Sequence, residues 1–329
     1  MATIKEIAQK VGVSSSAVSR VLNYDKTISV NEETRKAIFK VAEEIGYKKK
    51  IVYPKIDNVA LLFWAAHEEE LEDMYYQSLL EEMIAQAKWR NVQLEVIYKR
   101  EGIASVPKST KAFIGIGWFS QKEIEYLRGI TEQGIFVDVS PDESMYDSVR
   151  PNLDSMVTQI VDKFIEKKYQ NIAFIGKMDY DIHTEEPRMD VREWSFRESA
   201  KYYNVLKEEN IYIANVLTVQ EGYRIGKDII KGKQLPEAIC VATDTLSVGL
   251  LQAFQEEGIV VPKHTEVFSI NDIKLAQYVS PPLTTFHIDI PIMCESTFDL
   301  LQERMIKKRD ITKTVYINGR PVFRKSFLP

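Results

Sequence analysis

The chain has 329 residues, 45% of them hydrophobic and 28% charged, which at ~150 residues per domain predicts roughly two to three folded units of ordinary soluble composition. Disordered, collagenous and coiled-coil readings are excluded, and the longest apolar run, Val59 to Ala66, is far shorter than the ~20 residues of a spanning helix. The net charge of −5 is uneven: residues 1 to 50 carry ten basic and six acidic side chains, a net +4, against −9 on the remainder, so a basic head suited to phosphate precedes an acidic body.

The N-terminal MATIKEIAQK has no apolar segment of the kind an export signal needs, and Cys240 and Cys294 are far apart. The expected location is therefore the cytoplasm, with no membrane partner, no disulfide framework and no paired-cysteine metal site. Thr3-Ile4-Lys5-Glu6 has the form of a capping box, which predicts a helix start. Ile4, Ile7, Ala8 and Val11 then recur at helical spacing up to Gly12, a residue able to take the left-handed turn that ends a helix. Ser14 is placed to cap a second helix, from about Ser15 to Leu22, with Val18, Val21 and Leu22 on one face. Asn31 is placed to cap a third, through Ile38, Val41, Ala42 and Ile45. Two helices joined by a short glycine-containing turn make a helix-turn-helix. Opposite its valines the second helix displays Ser15, Ser16, Ser19 and Arg20. Serine reads several bases weakly and arginine binds guanine bidentately; a serine-rich solvated face of a small three-helix domain has the same pattern.

The run TIKEIAQKVGVSSSAVSRVLN, followed by SVNEETRKAIFKVAEEIGY, closely resembles the DNA-binding domain of the LacI/GalR family of bacterial transcription regulators, almost continuously from Thr3 to Tyr47. The resemblance implies that Ser15 and Ser16 stand at the two variable specificity positions, Ser19 and Arg20 at more general contacts, and Asn23 at the end of the recognition helix. With these go Thr3, Ser14, Lys49 and Lys50 as DNA-binding residues. Serine at both specificity positions departs from the commoner pairs. Family members continue into a hinge helix with an Ala-Arg-x-Leu core, whereas this chain reads Lys48-Lys49-Lys50-Ile51-Val52-Tyr53-Pro54, and Pro54 disfavours a helical residue before it. Either Ile51, Val52 or Tyr53 wedges into the minor groove, or the segment is a plain tether whose lysines neutralise phosphate.

From Asn58 onward, short β-rich runs alternate with longer amphipathic ones: VALLFW, LEVIY, KAFIGIGW, IFVDVS, NIAFIG, ANVLTV, AICVATD and EVFSI are separated by helical patterns such as SLLEEMIAQAKWR and MVTQIVDKFIEKKY. Such alternation predicts parallel sheets covered by helices on both faces, and nearly 270 residues favour two α/β lobes with a ligand cleft between them. The family resemblance extends over almost the whole chain. It implies a fold of an N-terminal three-helix helix-turn-helix domain plus a two-lobed, periplasmic-binding-protein-like (type I) core. The expected division is 1–57 for the head and hinge, 58–149 with 286–313 for the first lobe, and 150–285 with 314–329 for the second. No leucine heptad tail follows PVFRKSFLP, so a homodimer is expected.

Loops at the carboxyl ends of the strands should line the cleft. Arg192 begins R-E-W-S-F, similar to the family's R-x-x-G-F motif whose arginine binds effector hydroxyls, with Ser195 in place of the glycine. Asp138, Thr243, Asp244 and Asn271 occupy corresponding strand ends, and Trp118 with Tyr75 and Tyr76 offers an aromatic platform suited to the C–H faces of a sugar. Plainer roles remain open: helix caps for Asp244 and Asn271, core packing for Trp194, a surface ion pair for Arg192. The segments DMYY, VATDTLSVG and FSINDIKLAQYVSPPLTT are similar to those of repressors of galactose and β-galactoside use, which implies galactose or a galactoside as effector, with purine and phosphoprotein effectors as alternatives within the family.

Two other classes are weighed. Gly115-Ile116-Gly117-Trp118-Phe119-Ser120, with Asp138 about 20 residues on, imitates the fingerprint of a nucleotide-dependent α/β enzyme. Its third glycine is serine, and a bulky Trp-Phe pair fills the turn that must admit pyrophosphate. His67 to Glu70 and His183 with Glu185 and Glu186 lack zinc-site spacing. No nucleophile elbow is present, so neither an enzyme nor a cofactor is expected. A free-standing sugar-binding protein has no use for the basic head.

Overall fold

A computed structural model describes residues 2–22, 28–47, 53–65, 74–181, 184 and 186–329. The chain divides into two compact units, Met1–Pro54 and Lys55–Pro329, so the boundary falls a little before the expected residue 57.

The first unit contains α1 (Ile4–Val11), α2 (Ser15–Leu22) and α3 (Glu32–Glu44). Each start has the cap its sequence offers. Thr3 Oγ1 accepts from the Glu6 amide at 3.2 Å and the Glu6 carboxylate accepts from the Thr3 amide at 3.1 Å. Ser14 Oγ accepts from Ala17 N at 3.1 Å, and Asn31 Oδ1 from Thr34 N at 2.8 Å. Gly12 ends α1 in the left-handed region, φ 76°, where a Cβ would be strained. The apolar faces meet in a core of Ile7, Ala8, Val18, Val21, Ile38 and Ala42. Burial of these six side chains fixes which face of α2 is left outside.

The second unit is built on two six-stranded sheets. The first is formed by β1 (Ile56–Trp64), β2 (Val92–Tyr98), β3 (Ala112–Gly117), β4 (Gly134–Val137), β5 (Asp147–Pro151) and a late strand, β13 (Thr314–Ile317), in the order β13-β5-β4-β3-β1-β2. Every pairing in it is parallel. Its helices are α4 (Met74–Trp89), α5 (Gln121–Arg128) and α10 (Ile290–Met305). Leu79 and Met83 of α4 join one apolar cluster, Ile124 and Leu127 of α5 another containing Phe113 and Phe136. Both faces of the sheet are thus covered, as a parallel sheet with continuous apolar strands requires.

In the second sheet the strands are β6 (Ile172–Lys177), β9 (Ile211–Ala214), β10 (Ala238–Val241), β11 (Glu266–Asn271), β12 (Thr284–His287) and β14 (Arg320–Val322), ordered β14-β12-β11-β10-β6-β9, with only β14 antiparallel to its neighbour. It carries α6 (Leu153–Glu166), α7 (Val191–Tyr202), α8 (Val219–Lys231) and α9 (Asp244–Glu256). Two antiparallel two-residue strands, β7 (Asp179–Tyr180) and β8 (Pro187–Arg188), form a hairpin between β6 and α7 in the chain.

The chain passes between the sheets three times, and the expected lobe limits need correction at each. β5 stays in the first sheet through Pro151, and β12 stays in the second through His287. β13, expected in the second lobe, pairs with β5 of the first, Val315 opposite Val149. The third passage therefore lies at Asn318-Gly319 rather than near residue 314, because Thr314 to Ile317 is an alternating edge strand completed by the β5 backbone. Asn152 Nδ2 donates to Asn318 Oδ1 at 2.8 Å, which ties the first passage to the third. ANVLTV is not a strand either: IYIA before it pairs with β6, and Asn215 to Leu217 form the loop capped by Thr218 at the start of α8.

Candidate effector cleft and nucleic-acid interface

On the head, Thr3, Ser14, Ser15, Ser16 and Arg20 are exposed and Ser19 is half-buried. Thr3 and Ser14 spend their hydroxyls on helix caps, and Ser16 Oγ lies 3.0 Å from Ser14 Oγ. Ser15, Ser16 and Arg20 lie on α2 outside the Val18–Val21 core contact, which is the arrangement a groove-reading helix needs. Asn23, Lys49 and Lys50 lie outside the described residues, as do Lys48, Ile51 and Val52, the remainder of the hinge question before Tyr53.

In the second unit a cavity of about 800 Å³ opens between the lobes. Strand ends supply its floor, as expected for parallel sheets. Asp138, just past β4, and Asn271, the last residue of β11, both have positive φ, 74° and 119°, a backbone that costs a non-glycine residue energy and is common where side chains are aimed into a site. Asp138 accepts two tyrosine hydroxyls: Tyr75 at Oδ1, 3.0 Å, and Tyr76 at Oδ2, 3.1 Å. Desolvation in the cleft pushes its pKa up, opposed by these bonds and by the charge of Arg192 across the cavity. Tyr75 and Tyr76 are therefore carboxylate donors more than the apolar platform expected of them.

The opposite wall is a buried ion pair. Asp190 caps α7, its Oδ1 accepting from Arg192 N at 2.8 Å. The same carboxylate takes Arg192 Nε at Oδ1 and Nη2 at Oδ2, both at 2.8 Å, while Nη1 donates to the Ala242 carbonyl at 3.1 Å. Burial works against both charges, but each partner's field wins: the Asp190 carboxyl is lowered and the Arg192 guanidinium raised. Arg192 is thus part of a buried pair rather than a surface one. The serine that replaces the motif glycine is accommodated because Ser195 Oγ turns into the structure, its one proton shared between Asp154 Oδ1 at 2.7 Å and Val191 O at 2.6 Å.

The remaining candidates divide. Thr243 borders the cavity, but its hydroxyl caps α9, accepting from Leu246 N at 3.4 Å. Asp244 does not face the cavity and is corrected: it is fully buried beneath it, accepting from Ile273 N at 2.9 Å and from Thr285 Oγ1 at 2.7 Å. Burial pushes its carboxyl up to about 7. Trp118 borders the cavity, its indole donating to the Tyr180 carbonyl at 3.4 Å. Trp194, read as core, is 51% exposed and lines the cleft. Asp190 was missed altogether; its only signal is a carboxylate two residues before the arginine, at a helix start. In the glycine-rich turn after β3, Phe119 stacks on Trp64 with ring centroids 5.2 Å apart, and a side chain at Gly117 would strike the Trp64 carbonyl. Among the described residues no helix is long and apolar enough to cross a membrane, and no group of three or more His, Cys, Asp or Glu side chains is placed to hold a metal; His67 to Glu70, His183 and Glu185 lie outside them.

Residues 3–50 match the family of bacterial regulatory proteins, lacI type, and residues 161–327 match a periplasmic binding protein-like domain. The chain is 43% identical over 328 residues to the HTH-type transcriptional regulator GanR of Bacillus subtilis (strain 168), covering 99% of both chains. It is 34% identical over 334 residues to the regulator LacR of Lactobacillus helveticus, covering 100% of this chain and 99% of that one. Among solved structures, the transcriptional regulator CelR in its cellobiose complex superposes with a TM-score of 0.71 at 17% identity, over 99% of this chain and 100% of that one, a likeness of fold.

Proposed function

Because the chain belongs to the lacI family of bacterial regulatory proteins, DNA-binding regulators of transcription and not enzymes, we propose that its grip on operator DNA is governed by galactose or a galactoside bound between the core lobes. The observation that carries this reading is the pairing of Asp138 on one lobe with the Asp190–Arg192 pair on the other, each fixed by its own partners and each sensing the other's charge. A ring of hydroxyls fits such a frame. Carboxylate oxygens accept from sugar hydroxyls, the guanidinium and the Asn271 amide donate to them, and aromatic rings at the mouth receive C–H faces.

On the DNA side the reading is a homodimer whose two heads meet a pseudo-palindromic operator. Ser15, Ser16 and Arg20 read base edges; Ser19, Asn23, Lys49 and Lys50 support them, with phosphate contacts giving affinity. Thr3 and Ser14 act by fixing the helix starts. Sugar releases the repressor from its operator in this account. Removal of residues 1–54, the whole of the first unit, is the test: the truncated chain should lose operator binding and keep its sugar affinity. Loss of sugar binding with the head, or retention of DNA binding without it, would overturn the division of labour.

A further inference from the structure

Asn271 borders the effector cavity, and the residue after it turns away. Asp272 lies outside that lining and borders a second cavity, of about 500 Å³, together with Lys274 and His287. Both residues have positive φ, 119° and 56°, and a backbone of that kind persists only where its surroundings over-determine it. The Asn271 amide makes no hydrogen bond with another described side chain or backbone group, so its direction is set by its backbone. The anchors are on Asp272. Its Oδ1 accepts from Arg324 Nη2 at 2.6 Å, its Oδ2 lies 3.0 Å from His287 Nδ1, and its amide donates to Thr285 Oγ1 at 3.3 Å. Arg324 is fixed in turn, Nη1 donating to the Leu283 carbonyl and its amide to Thr284 Oγ1, both at 2.8 Å. The Asp272 and Arg324 side chains are only 14% and 20% exposed, where an ion pair is screened less than at the surface. The partners have a place in the topology: His287 ends β12 just before the second passage between the sheets, and Arg324 closely follows β14, which begins just after the third.

We propose that Asp272 is a positioning residue: clamped by Arg324 and His287, it holds the backbone that aims the Asn271 amide into the cleft, and it ties that aim to two of the three passages between the lobes. The inference rests on the effector reading of the cleft and adds to it a residue that acts from outside the cavity. A carboxylate is suited to the task because it accepts at both oxygens, one for each neighbouring segment. The next peptide has an anchor of its own, since Ile273 N donates to Asp244 at 2.9 Å. Neutralising Asp272 therefore leaves the loop attached and changes only its aim.

Calorimetry on the full chain with galactose, lactose and β-1,4-galactobiose tests it, with a melting curve recorded for each variant. Asp272→Asn keeps the shape of the side chain and tolerates the left-handed backbone, but lacks the charge. The expected result is a loss of sugar affinity of about tenfold in Asp272→Asn, the size of one misdirected hydrogen bond, a similar loss in Arg324→Gln, and little further loss when the two are combined. In Asn271→Gly, where glycine takes the positive φ freely, Asp272→Asn should cost nothing more, because the amide it aims is gone. A role confined to packing would lower the melting midpoint and leave the folded variant's sugar affinity at the wild-type value. That result, or an undiminished effect of Asp272→Asn in the Asn271→Gly chain, would overturn the assignment and leave the sugar reading standing. Absence of binding for all three sugars in the wild type would overturn both.

Discussion

Asp244 is buried against Ile273 N and the Thr285 hydroxyl, with its carboxyl raised to about 7, whereas an unfolded aspartate titrates near ~3.9. The folded chain therefore holds a proton that the unfolded chain releases, and stability is lost as pH rises from about 4 to 7. Asp244→Asn removes that dependence while keeping one acceptor and one donor, as in the protonated acid. In thermal melts the variant should gain on the wild type between pH 5 and pH 7, by up to about 1.4 kcal/mol per pH unit. Parallel curves would show that Asp244 does not carry the proton. Residues of this kind explain why the site was only partly legible in the sequence. Arg192 was readable from its motif. Asp190, its partner, was not, since an acid at a helix start is ordinary capping chemistry. The hydroxyls of Tyr75 and Tyr76 find Asp138 some sixty residues later in the chain, a meeting that only the fold supplies.

The β-strand and helix alternation of the core was legible because buried parallel strands are continuous apolar runs, and the head because each cap is written next to its helix. What escaped was the short edge strand β13, whose few residues acquire a strand identity only from a neighbour's backbone. Packing between helices was equally silent. Gly222 of α8 lies against the Leu246 carbonyl and Gly249 of α9 against the Val219 carbonyl, so the two helices touch backbone to backbone above the strand end that bears Thr243. At an open helical site, Gly249→Ala would stabilise by about 1 kcal/mol. Here the added methyl has no room, and the substitution should instead destabilise the core by about 3 kcal/mol in denaturant unfolding. An unchanged or raised midpoint would show that α8 and α9 are not in contact at these glycines.

At the scale of the molecule, three passages join the sheets, two of them tied by the Asn152–Asn318 bond, and in the proposed account the lobes exchange between more open and more closed arrangements. A ligand shifts such an equilibrium only by as much as it prefers one arrangement over the other. In the proposed account the Asp138–Arg192 frame, with one group on each lobe, gives a sugar that preference. Operator binding by the full chain, followed by fluorescence anisotropy at fixed salt while galactose, lactose and β-1,4-galactobiose are titrated in, tests the account most directly. It predicts that at least one of these sugars weakens operator affinity by ~5- to 150-fold, a coupling of ~1 to 3 kcal/mol, and that the effect is lost in Arg192→Lys. Operator binding indifferent to all three sugars would contradict it.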